Sequence, residues 1–146
     1  MRVALLPSAY APAVGGVEEL TRRLAARLVG RGDEVEVWTF RHPPDLAPVE
    51  VVDSVVVRRF HFPLPPARPG ALLRFPSRGL HALGQLSQAV RAFRPGVLHV
   101  QCFSAQGMYA AAVAARHRLP LVVSLQGETV MDDADVYRRS VALRLG

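Results

Sequence analysis

What most constrains the fold is a set of short apolar runs, rich in Val and Leu, that recur at residues 3–6, 35–40, 55–62, 97–100 and 121–125. Runs of this length and composition read as strands. Most are too continuous for a sheet with one wet face, where apolar and polar side chains alternate, and they suit parallel strands covered on both faces by helices. Segments of helical period lie between them. Over residues 17–31, Val17, Leu20, Leu24 and Leu28 share one face. Glu18 and Glu19 oppose the helix dipole in the first turn, Arg22 and Arg23 follow them at i,i+4, and Gly30 and Gly32 stop the helix. A second helix is expected over residues 79–93, with Leu80, Leu83, Leu86, Val90 and Phe93 inward and Pro95 closing it. A third, Ala-rich, follows Ser104 through Met108 to Arg116, and a fourth spans residues 132–145. The order β, α, β, β, α, β, α, β, α predicts a doubly wound, mostly parallel Rossmann-like α/β sheet. The Pro-rich stretch 63–76 reads as a long loop inside the domain, since strands continue on both sides of it.

A chain of 146 residues buries one substantial core, so residues 1–146 are read as one domain. The last helix has no strand after it, and the domain is therefore expected to be unfinished at its C-terminal end. Half of the residues are hydrophobic and about a fifth are charged, the balance of a globular α/β protein. Cys102 is the single cysteine, and with five scattered His it makes no zinc-ligand spacing; a reducing, cytoplasmic compartment is expected. The first apolar run is cut by Pro7, which favours a strand over a signal peptide. No apolar stretch approaches the ~20 residues a membrane-spanning helix needs, so membrane association would be peripheral. The formal charge of +6 is carried by 18 Arg with no Lys. Two explanations stand side by side: a compositional bias of the genome, and attraction of guanidinium forks to phosphates on nucleotides or on an anionic bilayer.

The most informative motif is PAVGGVEE at residues 12–19, between the first strand and the first helix. Gly15 and Gly16 there allow bare N–H groups, at the positive end of a helix, to come close to a phosphate or a sugar hydroxyl. The plainer reading is a turn that needs glycine for its shape alone. A dinucleotide-binding fold would carry GxGxxG and an acid at the end of the second strand. Here that strand ends on Thr39, Phe40 and Arg41, with Glu36 inside it, so nicotinamide or flavin chemistry is a minor alternative.

With these parts in order, the sequence resembles the retaining glycosyltransferases of family 4, which have the GT-B fold. The resemblance runs from P-x-x-G-G-V-E at residues 12–18 through RGDEVEVWTF, RPGVLHVQ ahead of an Ala-rich helix, and LPLVVSLQGET. It implies the N-terminal, acceptor-side half of a GT-B enzyme, with Gly15 and Gly16 in the cleft near the donor diphosphate and the transferred sugar. The donor is then a nucleotide-diphosphate sugar, no further cofactor or metal is implied, and the acceptor is a sugar or a lipid-linked molecule. The donor-binding domain of such enzymes, with its E-x7-E pattern, does not occur in this sequence, so the chain alone is expected to be inactive. Family members commonly carry His where Gln101 and Gln126 stand here, the second at a position that contacts the transferring sugar. Gln can bond a hydroxyl but carries no proton and no charge, which limits both to positioning.

Other candidates follow from position. Gln126, Gly127 and Glu128 come after the run at 121–125, at the carboxyl end of the sheet where open α/β sheets bind ligands, and Thr129 would cap the next helix. Asp132, Asp133 and Asp135 suit a helix start better than a metal site. His99 shares a strand face with Gln101 toward the ligand end, where it lines an acceptor pocket or, as lone strand histidines more often do, packs in the core. Cys102 is read as packed and inert. Arg68, Arg74, Arg78, Arg91 and Arg94 are interleaved with Phe60, Phe62, Leu72, Leu73 and Phe75. Relatives acting on lipid-linked acceptors touch the bilayer with such a surface, although a solvated basic face is the commoner explanation. No nucleic-acid motif accompanies the charge. A second function class stays open beside the enzyme: a free-standing module that binds a phosphorylated ligand or docks on a partner domain.

Overall fold

The apolar runs hydrogen-bond into one sheet. A computed structural model describes residues 1–64 and 75–125. In chain order it contains β1 (Arg2–Pro7), α1 (Gly16–Gly30), β2 (Glu34–Phe40), β3 (Val49–Val52), β4 (Val55–Phe60), α2 (Phe75–Phe93), β5 (Val97–Gln101), α3 (Ala105–His117) and β6 (Leu121–Ser124). The strands are ordered β3-β4-β2-β1-β5-β6. Neighbours are parallel except β3 on β4, which is antiparallel. From β1 the chain builds outward to one side through β2 and then returns to the other through β5, so the order reverses between β1 and β5. In open α/β sheets that reversal opens a crevice at the carboxyl ends of the strands. Pro7 of β1 and Gln101 of β5 are partners in register there.

Both sheet faces are covered, as the continuous runs require. On one face α2 and α3 pack on Ala4, Leu6, Trp38, Phe60, Leu98 and Val100. Trp38 meets Phe60 and Phe93 edge-on, and Phe62 meets Tyr109 with ring centroids 5.4 Å apart. Glu36 lies inside this face at 6% exposure. Its carboxylate accepts from Trp38 Nε1 at 2.7 Å and from Arg58 through Nε and Nη2 at 2.7 and 2.9 Å. That bidentate pair is what allows a charge to be buried there. On the other face α1 lies over Val3, Leu5, Val35, Val37, Val55 and Val57.

The structure moves several expected boundaries. α2 starts at Phe75, four residues before the expected start at 79, with Pro76 in its first turn, where the missing N–H costs no helix bond. The fourth strand stops at Phe60 and not at residue 62. An unexpected strand, β3, makes a hairpin with β4 through Asp53 and Ser54, both at positive φ. The stripe that α1 buries is also rotated: Thr21 and Ala25 are buried, Leu24 and Leu28 flank them, and Leu20 is 48% exposed. Small residues bring the helix close to the sheet and leave Leu20 outside. Leu80 of α2, expected inward, is likewise 69% exposed, while Leu86 and Val90 are buried. The end of α1 follows expectation. Arg31 caps it, and Gly32, at φ +86, and Asp33 donate back to Val29 and Leu28 in the pattern that closes helices on a left-handed residue. The expected helix over residues 132–145 lies outside the described residues.

Candidate functional site

The candidate site lies where β1 hands over to α1. β1 ends at Pro7, the connection passes Tyr10, Ala11 and Pro12, and Gly15 in extended conformation (φ −171, ψ −177) caps a helix that begins at Gly16. The first helical bond runs from Glu19 N–H to the Gly15 carbonyl, 3.1 Å. The preceding N–H groups of residues 16–18 have no acceptor one turn back, and Gly15 offers no side chain to cap them. These donors, with the helix dipole behind them, favour an anion.

The two glycines are not explained by turn shape. Neither has the positive φ that would demand glycine. A Cβ on Gly16 would meet nothing within 4 Å, and one on Gly15 would stand 2.5 Å from the flexible Glu18 carboxylate and from no backbone atom. What glycine leaves at residue 16 is open space beside the start of the helix, while the Glu18 carboxylate lies against Gly15 at the same end.

Beneath this terminus lies a layer of buried polar side chains. On the α1 face the strands open with valine and close with polar residues: Val35 and Val37 lead to Thr39, Val55 and Val57 to Arg59, and Val97 to His99 and Gln101. Thr39, Arg59 and Gln101 are at most 4% exposed, as is Thr21 from α1 above them. Gln101 meets Thr21 Oγ1 at 2.8 Å, and Thr21 Oγ1 donates to the Val17 carbonyl at 2.7 Å. Arg59 donates to the carbonyls of Ala11 at 2.6 Å and Ala47 at 3.2 Å, and to the Glu50 carboxylate. His99 Nε2 lies 2.8 Å from Ser124 Oγ on the neighbouring strand, and burial pushes its pKa below the ordinary histidine value. Tyr10, 4% exposed, has its phenol pushed up by burial and secondarily by the Asp53 charge.

Of the sequence-predicted residues, Gly15 and Gly16 stand at the helix terminus, Gln101 lies directly under α1 at the strand reversal, and His99 sits one pair further from the carboxyl edge of β5. Gln126, Gly127 and Glu128 lie outside the described residues, as do Thr129 and the acidic residues Asp132, Asp133 and Asp135. Arg59, Thr21 and Thr39 were not singled out from the sequence. Their signal was present in the switch from Val to polar at alternate positions where each run ends. Glu19 pairs with both Arg22 and Arg23, which hold its carboxyl down at about 2, while the expected Glu18–Arg22 pair does not form.

A concavity of about 400 Å³ lies on the opposite face between α2 and α3. It is lined by Pro76, Leu80, Leu83, Met108, Tyr109 and Ala112 and continues toward Arg91 and Arg116. Among the described residues no helix is long and apolar enough to cross a membrane.

The fold has counterparts among known proteins. The fold is similar to sucrose-phosphate synthase from Thermosynechococcus elongatus, with 16% identity and TM-score 0.58 over 99% of this chain and 38% of that one. It is also similar to Acinetobacter baumannii MurG, with 14% identity and TM-score 0.59 over 96% of this chain and 39% of that one. A third likeness is to spinosyn rhamnosyltransferase SpnG, solved with thymidine diphosphate, at 20% identity and TM-score 0.51 over 84% of this chain and 34% of that one. The chain thus spans well under half the length of each of these GT-B enzymes. Comparison with curated proteins gives no match. The model of the glycosyl transferase 4-like domain matches residues 15–145, nearly the whole chain from Gly15 onward, and the chain belongs to that family.

Proposed function

We propose that the chain is the acceptor-side domain of a retaining glycosyltransferase, which moves a sugar from a nucleotide-diphosphate donor to an acceptor hydroxyl. The observation that carries this reading is the open space over Gly16 at the uncapped start of α1, beside the strand reversal. A diphosphate or a sugar hydroxyl can approach those N–H groups closely because no side chain intervenes. Orientation is the main thing such a site supplies: the donors hold the reacting atoms, and a facing donor-binding domain closes over them. Gln126, Gly127 and Glu128, which follow β6, are assigned to the same cleft by sequence position and the family resemblance. The apolar α2–α3 groove with Arg91 and Arg116 beyond it supports a lipid-linked acceptor at the cytoplasmic face of a membrane.

Two measurements test this. The 146-residue chain alone is expected not to turn over nucleotide-sugars above their spontaneous hydrolysis; clear turnover overturns the two-domain reading. In the enzyme completed by a donor-binding domain, Gly16→Val is expected to lower transfer by about a hundredfold, the scale of a misplaced reactant. Its melting temperature is expected to stay near wild type, since a Cβ at residue 16 meets nothing within 4 Å. A folded Gly16→Val enzyme with normal kinetic constants removes the cradle from the account.

A further inference from the structure

A strand face covered by a helix ordinarily stays apolar along its length, because each buried polar group gives up water and must find a partner. The α1 face departs from this toward the carboxyl end, and three of the acceptors found there share one location. Thr39 Oγ1 lies 3.5 Å from the Pro7 carbonyl, Arg59 donates to the Ala11 carbonyl, and Thr21, in contact with Gln101, donates to the Val17 carbonyl. All three acceptors belong to the passage from β1 into the first turn of α1. The side chains come from β2, β4, β5 and α1, so the passage is held from both sides of β1.

Arg59 carries the largest desolvation cost. Its guanidinium spans the Ala11 and Ala47 carbonyls and the Glu50 carboxylate, which an ammonium on a single point of attachment cannot do in the same geometry. Thr21 is the hinge of the other half. Its hydroxyl is the donor toward both the Val17 carbonyl, at 2.7 Å, and Oε1 of Gln101, at 2.8 Å, and Gln101 is 1% exposed. Removing Arg59 frees the Ala11 carbonyl, and removing the Thr21 hydroxyl takes the partner from the buried Gln101 amide while the Val17 carbonyl keeps its helix bond.

We infer that Arg59 and the Thr21–Gln101 pair are positioning residues that hold the β1–α1 connection in its ligand-ready shape before any ligand arrives. This inference rests on the reading of Gly15 and Gly16 as the cradle for a diphosphate. A preformed cradle binds without first losing the entropy of a loose loop, so the clamp acts on affinity through order and touches no ligand itself.

The test compares Thr21→Val, Thr21→Ser and Arg59→Lys with Val57→Ala, an apolar truncation on the same strand and face as Arg59. Amide exchange is followed at Ala13 and Glu19, whose N–H groups bond to Tyr10 and Gly15 within the connection, and at Arg31, bonded to Arg27 at the far end of α1. Thr21→Val and Arg59→Lys are expected to speed exchange at Ala13 and Glu19 by about tenfold with Arg31 unchanged. They should weaken inorganic pyrophosphate binding by a similar factor. Thr21→Ser, which keeps the hydroxyl, restores both, and Val57→Ala lowers the melting temperature without the local loosening. Unchanged exchange at Ala13 and Glu19 in Thr21→Val and Arg59→Lys overturns the inference, as does equal loosening in Val57→Ala. If the wild-type chain does not bind pyrophosphate, the cradle reading falls while the exchange result still decides the clamp.

Discussion

The two faces of the sheet solve the same burial problem in opposite directions. Under α2 and α3 the carboxyl ends of the strands are the greasiest part: Phe40, Phe60 and Val100 meet Phe62 and Tyr109, and the buried charge, Glu36 with Arg58, sits further back along the strands. Under α1 the order is reversed, with valines at the back and Thr39, Arg59 and Gln101 at the front. The first face gains stability from packing that any α/β domain needs. The second spends part of its burial on polar contacts, among them those to the Pro7, Ala11 and Val17 carbonyls. The proposed site lies on the second of these faces.

The largest effect that separates the faces is expected from Leu86→Ala. Leu86 is fully buried in the α2–α3 core, and such truncations cost about 2–5 kcal/mol. Thr39→Val, at the polar front of the other face, removes a hydroxyl whose contact to Pro7 is long at 3.5 Å, and should cost less than about 1 kcal/mol. Chemical denaturation of both variants checks the ranking, and a Thr39→Val cost equal to that of Leu86→Ala breaks the division between the faces.

The smallest effect concerns His99. Burial lowers its pKa in the folded chain, so as pH falls below the ordinary histidine value near 6.5 the unfolded chain takes up a proton that the folded one resists. Stability is therefore lost across that window, and the loss levels off below the folded pKa. His99→Gln should show a shallower decline between about pH 7 and 5 than wild type, the other four histidines being common to both. Parallel stability curves would place His99 in a more open environment than its contact with Ser124 implies.

Much of this was readable in the residues. Five strands and the order of the described helices follow from the apolar runs, because parallel strands buried on both faces leave a continuous signal. β3 escaped because its hairpin turns on Asp53 and Ser54, which adopt positive φ without the glycine or asparagine that normally announces such a turn. α2 began early because Pro76 reads as a loop residue yet is tolerated in a first helical turn. Leu20 and Leu80 were placed inward by periodicity, which reports the apolar stripe but not how closely small residues such as Thr21 and Ala25 let a helix approach. In the site, the glycine pair was legible as a motif, while its backbone angles and the absence of any atom near a Cβ on Gly16 are tertiary facts that the sequence does not carry. Gln101 was visible as a polar residue at the right strand end, but that α1 covers it depends on helix placement, a tertiary fact.

The uncapped start of α1 is proposed as the place where this domain meets a phosphorylated ligand. Titration of the isotope-labelled chain with UDP, followed by amide cross-peaks, tests it directly. The expected result is saturable shifts concentrated at Gly15, Gly16, Val17 and Glu18, with Leu80, Met108 and Ala112 in the α2–α3 groove unmoved. Shifts that gather in the groove and leave Gly15 and Gly16 in place would contradict it.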